Sequence, residues 1–181
     1  MLPVETRLLR ALLEQVKTKE NGWVPDECLA AFHDLTVTPV LEITFWRGTA
    51  TDPEFLLELR DDQHWHGWHI NGGLVKVSQP ASLADMCQAI ADRELPGIRI
   101  AAVQLVTAFK WPEHPWCHPL SIVCLCETAG SVPETETRRF FVLGRLPVTV
   151  PHHADFLKQC AEMIRTGRAI VHRPQSPETR T

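Results

Sequence analysis

The sequence predicts a mixed α/β sandwich, and three observations carry that expectation. Strand-like segments flank a central amphipathic helix on both sides. A second amphipathic helix follows the last strand. The strands do not alternate with helices as regularly as a doubly wound parallel sheet requires. The 181 residues suit one domain with an appended element. A composition of 44% hydrophobic and 22% charged residues supports a buried core.

Residues 5–17 read as a first helix, because Leu8, Leu9, Leu12, Leu13 and Val16 recur at helical spacing. The stretch KTKENG breaks it. A second helix is predicted from Pro25, which suits a first turn, with Asp26 and Glu27 at its positive end. Leu29, Phe32 and Leu35 give it an apolar stripe. Residues 1–36 are therefore expected to form an N-terminal helical extension.

From Thr38 the pattern changes, and residues 37–168 read as the main domain. VLEITFWRG is a strand by its β-formers Val40, Ile43 and Phe45. A turn at GTATDP leads to a strand at 55–60, and DDQHWHG is a loop. GWHINGGLVKV reads as two short extended pieces joined at Gly72-Gly73. A helix over 82–95 takes Ser82 as its N-cap. Leu83, Met86, Cys87 and Ile90 form its apolar stripe, and Asp85, Gln88 and Asp92 its wet one. Pro96-Gly97 ends it. Strands follow at 98–109, 120–127 and 138–145. A last helix over 152–166 carries Phe156, Leu157, Cys160, Met163 and Ile164. Residues 169–181 are polar and proline-bearing and read as a flexible tail.

Several function classes lack support. A net charge of -4 gives no field to draw nucleic acid. No run of about 18 apolar residues exists to span a membrane. The opening MLPVETRLLRALLEQ is charged and amphipathic, unlike a signal peptide, so a cytoplasmic location is expected. None of the six cysteines forms a CxxC pair. Cys124 and Cys126 lie two apart and face the same side of a strand, and all six are read as reduced packing residues. There is no GxGxxG, P-loop or GxSxG motif.

Leu56-Leu57-Glu58-Leu59-Arg60 is followed by Gly67-Trp68-His69-Ile70-Asn71-Gly72-Gly73 and then a helix. That order resembles the Nudix family, whose pattern is LLxxR, a loop, W-x-x-P-G-G and a helix. Asn71 stands where the family has proline. FKWPEHPWCHPLSIVCLCE resembles the later strands of Nudix proteins acting on nucleotide sugars, and the likeness covers roughly residues 38–147. The fold it implies is the Nudix α/β/α sandwich with a mixed sheet, here with two additional N-terminal helices.

The family's acidic box, G-x5-E-x7-R-E-U-x-E-E-x-G-U, holds a divalent metal, usually Mg²⁺, which prefers carboxylate oxygens. Here the box is degenerate. Counted without gaps from Gly73, its glutamates become Gln79, Gln88, Ala91 and Asp92, and its arginine Cys87. Counted back from Gly97 with Pro96 as one extra residue, Glu94 is the single retained carboxylate. The other positions then become Ala81, Ile90 and Arg93, with Ala89 for the arginine. The second register places Met86 and Cys87 where the family buries small residues; the first would bury Asp85.

The resemblance implies a Nudix-type hydrolase of a nucleoside diphosphate linked to another group, such as a sugar. Glu94, or Asp92 in the rival register, would hold Mg²⁺ with help from substrate phosphates. Arg60 would grip the diphosphate, and His118 would be the general base. Trp68, Gly72, Gly73, His66 and His69 would line the substrate mouth. An ordinary packing or surface role is the competing expectation for each. The alternative function is a catalytically degenerate Nudix protein that binds a nucleotide or a protein partner, with residues 1–36 as a dimer or partner surface. A weaker third reading is a zinc site using His64, His66 and a cysteine.

Overall fold

A computed structural model describes residues 11, 37–62, 65–75, 82–111, 118–167 and 171–172. Of the two expected N-terminal helices only Ala11 is described, and it is helical. The remainder of both helices, and His64, Gln79 and Ala81, lie outside the described residues. The element order is β1 (Val37–Gly48), β2 (Pro53–Asp61), β3 (His66–His69), β4 (Asn71–Leu74), α1 (Leu83–Glu94), β5 (Ile100–Lys110), β6 (His118–Thr128) and β7 (Arg138–Val142). A 3-10 turn (Leu143–Arg145), α2 (Pro151–Thr166) and β8 (Val171–His172) complete it. Among the described residues no helix is long and apolar enough to cross a membrane.

β1 organises the sheet. One of its edges runs parallel to β6 from Val37 to Phe45. The other edge pairs antiparallel with β4 through Val40–Ile43 and then with β2 through Trp46–Gly48. Glu58 of β2 is partnered by His69 of β3 and by Arg138 of β7, so β3 lies on the edge of β2 that faces β1. The hairpin strands β1 and β2 thus splay apart, and the β3–β4 pair fills the wedge. On the far side the sheet continues from β6 to β5 and β8. Residues 171–172 fall inside the stretch expected to be a flexible tail, yet they pair with Val103 and Gln104.

Strand alternation divides the core into two layers. Leu41, Ile43, Phe45, Cys124 and Cys126 face α1 and meet Ala84, Cys87, Ile90 and Ala91. Phe55, Leu57, Val123 and Leu125 face the other way and meet Phe156, Leu157 and Cys160 of α2. This is the α/β/α sandwich that the sequence predicts.

α1 begins where its cap residue predicts. Ser82 Oγ accepts the Asp85 N–H at 3.1 Å and donates to the Asp85 carboxylate at 2.7 Å. Gln88 ties the helix to β5: its Nε2 donates to the Ile98 carbonyl at 3.0 Å, and its Oε1 accepts the Ile100 N–H at 2.8 Å. α2 starts with Pro151 in its first turn and ends at Gly167, left-handed at φ 64°, whose N–H bonds the Met163 carbonyl. The break between the two short extended pieces falls at Ile70, not at Gly72-Gly73. Ile70 leaves the ladder because its side chain is buried and its N–H is taken by His153 on α2. The last strand stops at Val142, where the chain turns into the 3-10 segment.

Cys87, Cys124, Cys126 and Cys160 are free and buried. Burial pushes the Cys160 thiol up to about 12, and contact with Cys87 together with burial raises Cys124. A thiol held protonated is a poor nucleophile. These four cysteines are therefore expected to resist alkylation at pH 8 until denaturant is added, as read by peptide mass spectrometry. Rapid labelling of Cys160 in the native chain would contradict this packing.

Candidate functional site

The same alternation that buries Leu41 and Ile43 turns Glu42 toward the α2 layer. Its side chain lines a cavity of about 350 Å³ between β1, β4 and the start of α2. Glu42 is 8% exposed, and a carboxylate so buried needs partners. Ser121 Oγ on the parallel neighbour β6 donates to its Oε1 at 3.3 Å. His153 Nε2 lies 3.8 Å from its Oε2. The Ile70 N–H donates to His153 Nδ1 at 3.0 Å. An imidazole that accepts at Nδ1 carries its proton on Nε2, here on the side of Glu42.

Gly72 makes room for this arrangement. A Cβ there would press on the Glu42 carboxylate and come within 2.9 Å of the Leu41 carbonyl. Trp65, Trp111 and Arg60 also line the cavity. Trp65 Nε1 is buried with no hydrogen-bond partner among the described residues. Trp111 packs on the His152 ring at 3.9 Å between centroids. Arg60 bonds the Asp62 carboxylate and is about one-third exposed, so its guanidinium keeps access to solvent.

His69 stacks beside His153 at 6.3 Å between centroids. Burial, reinforced by His153 and Arg60, lowers its pKa below the ordinary histidine value. A group whose folded pKa is depressed gives stability that is present above its unfolded pKa of 6.5 and lost as pH falls through the folded value. Thermal unfolding midpoints should therefore fall below pH 6.5, and His69→Gln should flatten that slope. An unchanged slope in the variant would show that His69 does not resist protonation.

A second polar cluster occupies the α1 side of the wedge. Glu58 Oε1 receives Arg138 at 2.7 Å, and its Oε2 receives Asn71 Nδ2 at 2.5 Å. Arg138 also donates to the Glu94 carbonyl at 3.1 Å. The Glu94 carboxylate pairs with Arg93 at 2.5 Å, and Asp92 pairs with Arg99 at 3.2 Å. The Gly73 side of β4 is filled by the Arg93 guanidinium.

These residues do not fit Mg²⁺. The ion prefers near-octahedral oxygen ligands, but Glu58, Asp92 and Glu94 each face a guanidinium. Among the described residues no three His, Cys, Asp or Glu side chains converge on one point. Ile90 and Arg93, at glutamate positions of the register with Glu94, are respectively buried and cationic. In the other register Gln88 is spent on β5.

The structure brings Arg60, His69, Gly72 and Gly73 together around the cavity. It places Trp68 edge-on against Phe141 at 4.6 Å, in the hydrophobic layer. His66 is exposed and bonds Asp61. Asp92 and Glu94 lie on α1 with separate arginine partners and do not share a site. His118 opens β6, opposite Val37 in register, and its side chain lies outside the described set. Glu42 and His153 are the site residues that sequence reasoning missed. The available signals were a charge inside the apolar run VLEITFW and a histidine pair directly after Pro151.

No family model and no curated protein matches the chain. Its fold does match solved structures. An ADP-ribose pyrophosphatase from Streptococcus suis is 24% identical, with 74% of this chain and 96% of that one covered at a TM-score of 0.54. A MutT Nudix hydrolase from Burkholderia pseudomallei is 20% identical over 68% and 98% of the two chains, at 0.53. The Nudix domain of Shewanella oneidensis NrtR, in complex with ADP-ribose, is 12% identical over 77% and 98%, also at 0.53. The chain has the Nudix fold.

Proposed function

We propose that this Nudix-fold chain binds a nucleotide-type ligand, a nucleoside diphosphate linked to another group, in the cavity between β1, β4 and α2. The observation that carries the reading is the mixture of groups in that cavity. Trp65 and Trp111 offer ring faces on which a base can stack. Arg60 offers a planar guanidinium, which suits diphosphate oxygens. Glu42 and His153 offer buried polar groups for orientation. The ADP-ribose complex of the NrtR Nudix domain supports the same ligand class.

The guanidinium partners of Glu58, Asp92 and Glu94 favour binding without metal-assisted hydrolysis. A hydrolytic reading is favoured by the pyrophosphatase and hydrolase among the similar structures. In that reading Arg60 steadies the diphosphate and His118 is the general base. In the binding reading, residues 1–36 would serve as a dimer or partner surface, which sedimentation of the full chain tests.

One experiment separates the two. The purified chain is incubated with ADP-ribose and nucleotide sugars in EDTA, Mg²⁺ or Mn²⁺, and both turnover and unfolding temperature are recorded. Binding in EDTA should stabilise the chain by about 2.7 kcal/mol at a hundredfold excess over Kd. Turnover that needs Mg²⁺ and is lost in Glu94→Gln would establish hydrolysis instead. Neither stabilisation nor turnover with any ligand would sink the nucleotide reading.

A further inference from the structure

We infer that Glu42 and His153 together read the base of the ligand, and that they select a guanine-type edge. The inference rests on the nucleotide reading above and adds which base the cavity takes. Glu42 is 8% exposed and lines the cavity, yet among the described residues its hydrogen bonding is incomplete. Its Oε1 receives one bond of 3.3 Å from Ser121, and His153 Nε2 stands 3.8 Å from Oε2, beyond hydrogen-bond length. A carboxylate accepts at about four positions, so acceptor capacity is left over on a buried charge. Ser121 bonds the group, and Gly72 keeps the β4 side clear of a side chain.

The sign of this charge orients the ligand. A phosphate would be repelled from Glu42 and drawn to Arg60, so the part entering toward Glu42 is the one that donates hydrogen bonds. The indole rings of Trp65 and Trp111 suit a flat ring there. At the cavity the protein sets the His153 Nε2–H beside the Glu42 carboxylate, 3.8 Å from its Oε2: a donor next to acceptors. The guanine edge presents the complement, with the O6 acceptor followed by the N1–H and N2–H donors. Hypoxanthine lacks the amino donor. Adenine puts an acceptor, N1, against the carboxylate.

The test is a tryptophan-fluorescence titration of the full chain with GDP, IDP and ADP in EDTA, for the wild type and for Glu42→Gln. The wild type should bind GDP about tenfold more tightly than IDP, the scale of one hydrogen bond to a charged group, and should bind ADP no better than IDP. Glu42→Gln should bring the GDP-to-IDP ratio to about one and weaken IDP as well, whose N1–H loses the same carboxylate. Similar wild-type affinities for all three nucleotides would overturn the base assignment and leave the nucleotide reading standing. A GDP preference that survives Glu42→Gln would also overturn it. Binding of none of the three would overturn the nucleotide reading and this inference with it. The wild-type ratio needs no variant, so a misfolded Glu42→Gln chain leaves the inference falsifiable.

Discussion

Replacing Arg138 with alanine is expected to lower the unfolding free energy by about 2–3 kcal/mol, between the cost for an exposed pair and that for stripping one partner from a fully buried one. Arg138 and Glu58 are 13% and 19% exposed, and the arginine bridges from β7 across β2 to the Glu94 carbonyl that ends α1. Its loss leaves Glu58 with Asn71 alone among the described residues and frees the helix end. Arg47→Ala gives the contrast. Arg47 pairs with Glu54 and Glu134 and lies over the Phe140 ring, but it is nearly half exposed. Its effect should stay near or below about 1 kcal/mol. Urea unfolding of both variants measures the difference. Equal costs would mean that the β7–α1 bridge carries no special weight.

Phe156→Ala should cost about 3–5 kcal/mol, as large-to-small replacements at filled core positions do. Phe156 is fully buried beneath α2 and meets Phe109, His152 and His153 ring to ring. The first turn of α2 supplies the His153 that bonds the Ile70 N–H, so a void below it loosens the cavity wall. The variant should therefore lose ligand affinity along with stability. Thermal unfolding and the GDP titration together read both. Lost stability with unaltered binding would show that the cavity does not depend on how α2 is seated.

Much of the frame was legible in local pattern. Ser82, Cys87 and Ile90 mark α1 because capping and helical spacing act within a few residues. The apolar runs around Ile43 and Leu57 mark β1 and β2 for the same reason. What was not legible depends on pairing between distant parts of the chain. Glu42 meets Ser121 only because β1 lies parallel to β6, and His153 meets Ile70 only because α2 returns over the β3–β4 wedge. The acidic residues of α1 show the opposite limit. A motif identifies Asp92 as a carboxylate but carries no word of Arg99, which arrives just before β5, or of Arg138, which comes from β7 to pair with Glu58 and bond the Glu94 carbonyl. Trp68 and His66 sat in the right segment and share one face of β3, but Trp68 packs against Phe141 from β7 whereas His66, at the strand's exposed end, bonds Asp61.

The central claim is that the ligand occupies the cavity of Glu42 and His153 and not the α1 face of Glu94. A crystal structure of the chain grown with GDP in the presence of Mg²⁺ tests this most directly. The account predicts a base against Glu42, Trp65 and His153 with its diphosphate toward Arg60. A diphosphate bound over Glu94 through a metal ion, with the cavity empty, would contradict it.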